Sequence, residues 1–92
     1  MDFHSSDEPT KSLLRKLKAI EKEAISYEDN HGYDPNNNAK LELAHEAIFQ
    51  LTFTKANPKE ILQILRTSKA NCLQTEQEAY EEAEAEIIEK VI

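Results

Sequence analysis

The stretch that decides the fold is KSLLRKLKAIEKEAISY, residues 11–27. Five of its apolar residues recur at alternating steps of four and three, and they are Leu13, Leu17, Ile20, Ala24 and Tyr27. Such steps place side chains on one side of an α-helix, as found where one helix packs against another. We therefore predict a helix over about residues 10–29, with Pro9 in its first turn and residues 1–8 as a frayed tail.

A second stripe on the same helix is basic. It consists of Lys11, Arg15, Lys18 and Lys22, each two residues ahead of an apolar position. Two residues turn a helix by about 200°, so this basic stripe faces away from the apolar one. We expect it to pair with an acidic surface, either within the chain or in a second copy.

Three further helices are predicted over about residues 39–55, 58–69 and 76–92. Each combines a helix-start signal or a helical spacing of apolar residues with a short connection to its neighbour. Four helices joined in this way predict an all-α fold, a small four-helix bundle that forms a single domain over residues 1–92.

The loop between the first two helices is rich in turn-forming residues. Gly32 is the natural residue for a left-handed helix stop. Three asparagines follow it, and we expect Asn37 or Asn38 to cap the second helix with its side chain.

The second helix is apolar on nearly every side, which is typical of a helix buried on several sides. We expect it at the centre of the domain or of a homodimer. The predicted core or dimer seam joins this helix to the first one, and its members are Leu13, Leu17, Ile20, Tyr27, Ile48 and Leu51.

The composition excludes several classes of protein. Gly32 is the only glycine, whereas phosphate-binding loops need several, so we expect no cofactor of that kind. Cys72 is the only cysteine, which rules out a disulfide within the chain and a cysteine-based zinc site. No apolar run approaches the ~18 residues of a membrane helix, and the N-terminal residues do not resemble a secretory signal. We therefore expect a cytoplasmic protein with no membrane contact.

Negative charge is concentrated at the C-terminal end. The net charge is −7, and residues 70–92 hold seven acids and one base, a balance of −6. Such a face either keeps a small protein soluble or binds a basic partner. The acidic face predicted to bind a partner consists of Glu78, Glu81, Glu82, Glu86 and Glu89.

Three patterns bear on chemistry. Glu42 and His45 have the spacing of half a di-iron site, but none of the other predicted helices contains a second Glu-x-x-His pair. Cys72 lacks the histidine and the glycine-rich turn of a nucleophilic site. The polar side of the third helix carries Lys59, Gln63, Arg66 and Lys69. That surface allows a helix-turn-helix, which the net negative charge disfavours. We predict no catalytic, cofactor or metal residues. Direct binding of nucleic acid through the third helix is a third interpretation, which the net negative charge disfavours.

The order of features in residues 39–92 resembles that of the small YmgB/AriR-type biofilm and acid-stress regulators. The shared pattern consists of EAIFQL at 46–51, ILQIL at 61–65 and the acidic last helix. The resemblance implies a helical dimer that acts as a regulator or connector without catalysis. The first helix and the asparagine-rich loop lie outside it.

Two functions fit these features. The first is a non-catalytic regulatory interaction module, a helical homodimer that presents its acidic C-terminal helix to a partner protein. The alternative is an acidic inhibitor, such as an immunity protein, an antitoxin or a phage DNA mimic, that blocks a basic nucleic-acid-binding enzyme.

Overall fold

The computed structural model describes residues 3–72 and 77–92, with side chains from residue 9 onward. The helices are α1 (Phe3–His31), α2 (Pro35–Thr52), α3 (Ile61–Cys72) and α4 (Gln77–Val91), and a 3₁₀ turn at Pro58–Glu60 leads into α3. These described ranges contain four α-helices and no strand, so the predicted all-α fold is confirmed. The predicted start of the fourth helix at residue 76 lies outside the described residues.

The first helix begins earlier than predicted. α1 starts at Phe3 and contains Pro9, which corrects the tail assigned to residues 1–8 for residues 3–8. Residues 1 and 2 lie outside the described ranges. The φ angle of proline is already helical, so a helix continues through it at the loss of one backbone hydrogen bond. Proline is therefore a weaker boundary signal here than the sequence pattern indicates.

The end of α1 follows the prediction for Gly32. This glycine has φ +84°, and its N–H donates to the Glu28 carbonyl at 2.8 Å. A left-handed residue directly after the helix satisfies a carbonyl of the last turn and stops the helix.

Replacing Gly32 with alanine is expected to lower the free energy of unfolding by about 1–2 kcal/mol, because an L-residue is strained at this φ. No atom lies within 4 Å of where the added Cβ would stand, so the backbone conformation alone sets the effect. Urea denaturation measures it. Gly32→Asn is the control, since asparagine tolerates the left-handed region better. An alanine variant as stable as the asparagine variant would contradict this account.

The second helix is capped by a residue that the prediction missed. Asp34 is the N-cap, and its carboxylate accepts a hydrogen bond from the Asn37 N–H at 2.9 Å. Pro35 takes the first helical position, where a missing N–H has no cost. The prediction of Asn37 or Asn38 as the cap is therefore wrong. Asn37 is instead buried, and its amide donates to the Ala24 carbonyl of α1 at 2.8 Å.

The turn after α2 ends that helix at Thr52 rather than near residue 55. Lys55 has φ 59°, and the following Ala56 N–H donates to the Gln50 carbonyl at 3.1 Å. A left-handed residue of this kind closes a helix end. The third helical segment then starts at Pro58 as predicted, with the Asn57 side chain accepting from the Lys59 N–H at 2.9 Å. It continues to Cys72, past its predicted end near residue 69.

The core is built around α2, which contacts each of the other three helices. Every helix contributes one large aliphatic side chain with no exposed surface, and these are Leu17, Leu43, Leu65 and Ile87. The prediction that the second helix is buried on several sides is confirmed, since helices of the same chain cover it.

The predicted seam is largely buried. Leu13, Leu17, Ile20 and Leu51 belong to the core, and Ile48 packs against it with part of its surface exposed. Tyr27 is different, since it is 44% exposed and its ring lies against that of His31, with centroids 4.4 Å apart. Tyr27 is therefore not part of the buried core of the chain, and its place in a dimer seam stays a prediction. The buried Asn37 side chain reaches α1 one turn before it, at the Ala24 carbonyl.

Candidate interaction surfaces

The acidic face of α4 arises from the spacing of its apolar residues. Tyr80, Ala83, Ile87 and Val91 are buried at steps of three and four. The glutamates between them therefore point outward. Of the five predicted partner-binding residues, Glu78, Glu81, Glu82 and Glu89 are exposed, and Glu86 is partly exposed.

Two lysines from neighbouring helices border this face. Lys40 of α2 lies 3.0 Å from Glu86, and Lys69 of α3 lies 3.2 Å from Glu84. Both pairs bridge α4 to other helices and lower the charge at its flanks. In the described part of the chain, no ion pair involves Glu78, Glu81, Glu82 or Glu89. The centre of the face therefore keeps its full negative charge.

The basic stripe of α1 does not pair with α4 in the described residues. Lys11, Arg15, Lys18 and Lys22 are all exposed, and none of them appears in an ion pair there. The contact between α1 and α4 instead joins Lys90 to Glu23 at 3.5 Å, with the base on the acidic helix. The stripe lies opposite the buried side of α1, so it is directed to solvent.

A third surface, on α2, was not singled out from the sequence. Leu41, His45, Phe49 and Phe53 follow one another at steps of four along one side of the helix. Phe49 is 45% exposed and Phe53 is 70% exposed, and their ring centroids lie 5.1 Å apart. We call these two residues the phenylalanine pair. The four-residue spacing was visible in the sequence, but composition alone does not show which side of an apolar helix stays uncovered.

A groove lies beside the N-terminal half of this row of residues, at Leu41 and His45. It encloses about 490 Å³ between α1, α2 and the end of α3, and its lining residues are Glu21, Ile25, Leu41, Glu42, His45, Glu46 and Cys72. We call it the α2 groove. Ile25 is 47% exposed at its edge. Three carboxylates surround an apolar floor, and the lining described for the groove includes no lysine or arginine.

Glu42 and His45, which have the spacing of half a di-iron site, form hydrogen bonds or ion pairs with other side chains. The Tyr80 hydroxyl donates to the Glu42 carboxylate, while His45 Nδ1 lies 2.9 Å from the Glu21 carboxylate. Glu42 and His45 are thus held by different helices. Within residues 3–72 and 77–92, no group of three or more His, Cys, Asp or Glu side chains is arranged to hold a metal ion.

Cys72 lies in an environment that suppresses the thiolate. Burial raises the pKa of its thiol from 9.0 to about 11, and the negative charges of Glu42 and Glu46 add to the shift. The thiol donates to the Glu42 carbonyl at 3.8 Å. A nucleophilic cysteine needs the opposite shift. Burial, with the hydrogen bond to Glu42 next, likewise raises the pKa of the Tyr80 hydroxyl above its ordinary value.

Two of the four polar residues predicted to form a helix-turn-helix surface make contacts with other side chains of the chain. Lys69 is paired with Glu84, and the Gln63 amide donates to the Thr67 hydroxyl at 3.4 Å. Lys59 and Arg66 remain exposed. Two exposed bases do not form the dense basic footprint typical of nucleic-acid binding.

Comparisons with protein-family models, with curated proteins and with solved structures gave no significant match. The resemblance to the YmgB/AriR-type regulators therefore stays a prediction. None of the described helices combines the length and the apolar character needed to cross a membrane.

Proposed function

We propose that this chain is a non-catalytic regulatory interaction module, a homodimer that presents the acidic face of α4 to a basic partner protein in the cytoplasm. The observation that carries the proposal is the phenylalanine pair. Two neighbouring aromatic side chains with 45% and 70% of their surface exposed lie on a helix that is otherwise packed against three others. Exposed aromatic residues in one place are typical of a protein-protein contact.

The dimer part of the proposal assigns the phenylalanine pair to the contact between two copies. Burying a fully exposed aromatic side chain contributes about 1.5–3 kcal/mol, and Phe49 and Phe53 have 45% and 70% of their surface left to bury. Two pairs in a symmetric contact therefore supply a substantial part of the association energy. The resemblance to dimeric regulators supports the same assembly.

Sedimentation velocity tests the dimer. We expect the wild-type chain to sediment as a dimer and the Phe49→Ser/Phe53→Ser double variant as a monomer with unchanged helical circular dichroism. Leu62→Ser is the matched control, because Leu62 is also half exposed but lies on α3. A wild-type chain that remains monomeric at every concentration would refute the dimer.

The partner part of the proposal rests on the acidic face. Its central glutamates keep their charge, so they attract a basic surface and accelerate association at low salt. Affinity capture from the native host should retain a basic protein on the wild-type chain. A Glu78→Gln/Glu81→Gln/Glu89→Gln variant should lose it, while Glu28→Gln/Asp29→Asn/Glu60→Gln, which removes the same number of charges from other parts of the surface, should keep it. Equal retention by both variants would exclude the acidic face.

The acidic inhibitor stays the second candidate, favoured by the continuous row of carboxylates along one side of α4. Such a row imitates the repeated charges of a nucleic-acid backbone. Duplex DNA added to the captured complex distinguishes the two functions. An inhibitor should be displaced from its enzyme by DNA, whereas a regulator that binds elsewhere on its partner should remain bound.

A further inference from the structure

We infer that the α2 groove binds an amphipathic helix with a basic flank, supplied by a partner protein. This inference goes beyond the proposed function, because it assigns a ligand to a surface separate from the acidic face. The groove adjoins the phenylalanine pair on α2, since His45 lines the groove one helical turn before Phe49, but neither phenylalanine is among its lining residues.

The shape and the apolar floor of the groove fit a helical ligand. It lies between α1 and α2, and the aliphatic side chains of its apolar floor are Ile25 and Leu41. Its volume of about 490 Å³ accommodates two or three aliphatic side chains but not a folded domain. An amphipathic helix lays side chains spaced three and four residues apart into a groove of this kind.

The charge of the rim determines which helix fits. Glu21, Glu42 and Glu46 bring three carboxylates to the rim, and the described lining contains no lysine or arginine. Glu21 lies 2.9 Å from His45, while the hydrogen bonds described for the Glu42 and Glu46 carboxylates come from neutral groups, so these two carry the negative charge of the rim. Their field already acts inside the groove, since Glu42 and Glu46 are among the causes that raise the pKa of the Cys72 thiol. A ligand with lysine or arginine beside its apolar residues complements this rim, and an acidic ligand is repelled.

Binding of a synthetic helix tests the inference. The probe is a fluorescein-labelled peptide of about 14 residues built from leucine and lysine at helical spacing, and the matched peptide has glutamate in place of lysine. Fluorescence anisotropy should show binding of the lysine peptide that weakens between about 50 mM and 300 mM salt. The glutamate peptide should not bind. Absence of binding by the lysine peptide, or equal binding of both, would overturn the inference.

Two matched pairs of variants locate the site. Ile25→Ser should weaken binding about tenfold, while Leu62→Ser should leave it unchanged, because the two side chains are 47% and 50% exposed and only Ile25 lines the groove. Glu46→Gln should also weaken binding, and Glu78→Gln on α4 should not. Unchanged binding by both groove variants would overturn the inference.

Amide chemical shifts provide a readout independent of affinity. The lysine peptide should shift the signals of residues 21–25 and 41–46. If the shifts lie on residues 78–89 instead, the groove is excluded while the acidic face of the proposed function is retained. If the signals of residues 21–25, which lie on α1 and not beside the phenylalanine pair, already depend on protein concentration without peptide, the second copy occupies the groove and the inference fails.

Discussion

Replacing Leu43 with alanine should lower the free energy of unfolding by about 3 kcal/mol. Leu43 has no exposed surface and lies on α2, which packs against each of the other three helices. Its removal takes away apolar burial and leaves a cavity in a core that has few other side chains to fill it. For a chain this small, such a loss is a large part of the total stability, so the variant should be partly unfolded at 37 °C.

Urea denaturation followed by circular dichroism measures this effect. Leu62→Ala is the control, since Leu62 is half exposed and its truncation should cost less than about 1 kcal/mol. Equal losses in the two variants would mean that α2 is not the centre of the fold.

Cys72 should react with a thiol reagent about a hundredfold more slowly than an exposed cysteine at the same pH. Burial, followed by the charges of Glu42 and Glu46, raises its pKa from 9.0 to about 11. Two pKa units leave about a hundredth of the thiolate, which is the reactive form. The rate should rise about tenfold per pH unit up to pH 11, because raising the pH restores the thiolate.

The absorbance change with a disulfide reagent measures this rate in the native protein and in urea. Unfolding should remove the protection, and Glu46→Gln should increase the native rate because one of the negative charges is lost. A native rate equal to the rate in urea would show that Cys72 is not shielded by the fold.

Hydrophobic spacing was sufficient to predict the fold class and the main buried positions. Leu13, Leu17 and Ile20 are buried because helical periodicity assigns them to one side, whatever the partner helix is. The same periodicity does not distinguish the core from an exposed position at Tyr27, which is 44% exposed. Periodicity extends along a helix without showing where the neighbouring helix stops covering it.

Helix boundaries were harder to predict, since several neighbouring residues have side chains that can cap a helix. Asp34, Asn37 and Asn38 all have capping side chains, and Asp34 is selected because Pro35 fits the position directly after it. The proline near the start of the first helix was misleading. Pro9 predicts the start of that helix, but it lies within a helix that starts at Phe3.

The candidate surfaces depend on tertiary structure. The acidic face of α4 was predictable from local spacing, but the lysines at its flanks were not. Lys40 and Lys69 reach Glu86 and Glu84 only because of how three helices are aligned. The α2 groove combines residues from three helices for the same reason, and no local pattern contains it.

The buried amide of Asn37 limits how the first two helices can slide. Its hydrogen bond to the Ala24 carbonyl spans 2.8 Å and lies away from water. A shift of α2 along α1 by half a turn would take this amide away from the carbonyl and leave it without a partner, at a cost of about 1–3 kcal/mol. Aliphatic contacts tolerate such a shift far better, because they have no direction. One polar side chain thus selects a single alignment of the hairpin, and with it the set of side chains that α2 leaves facing outward.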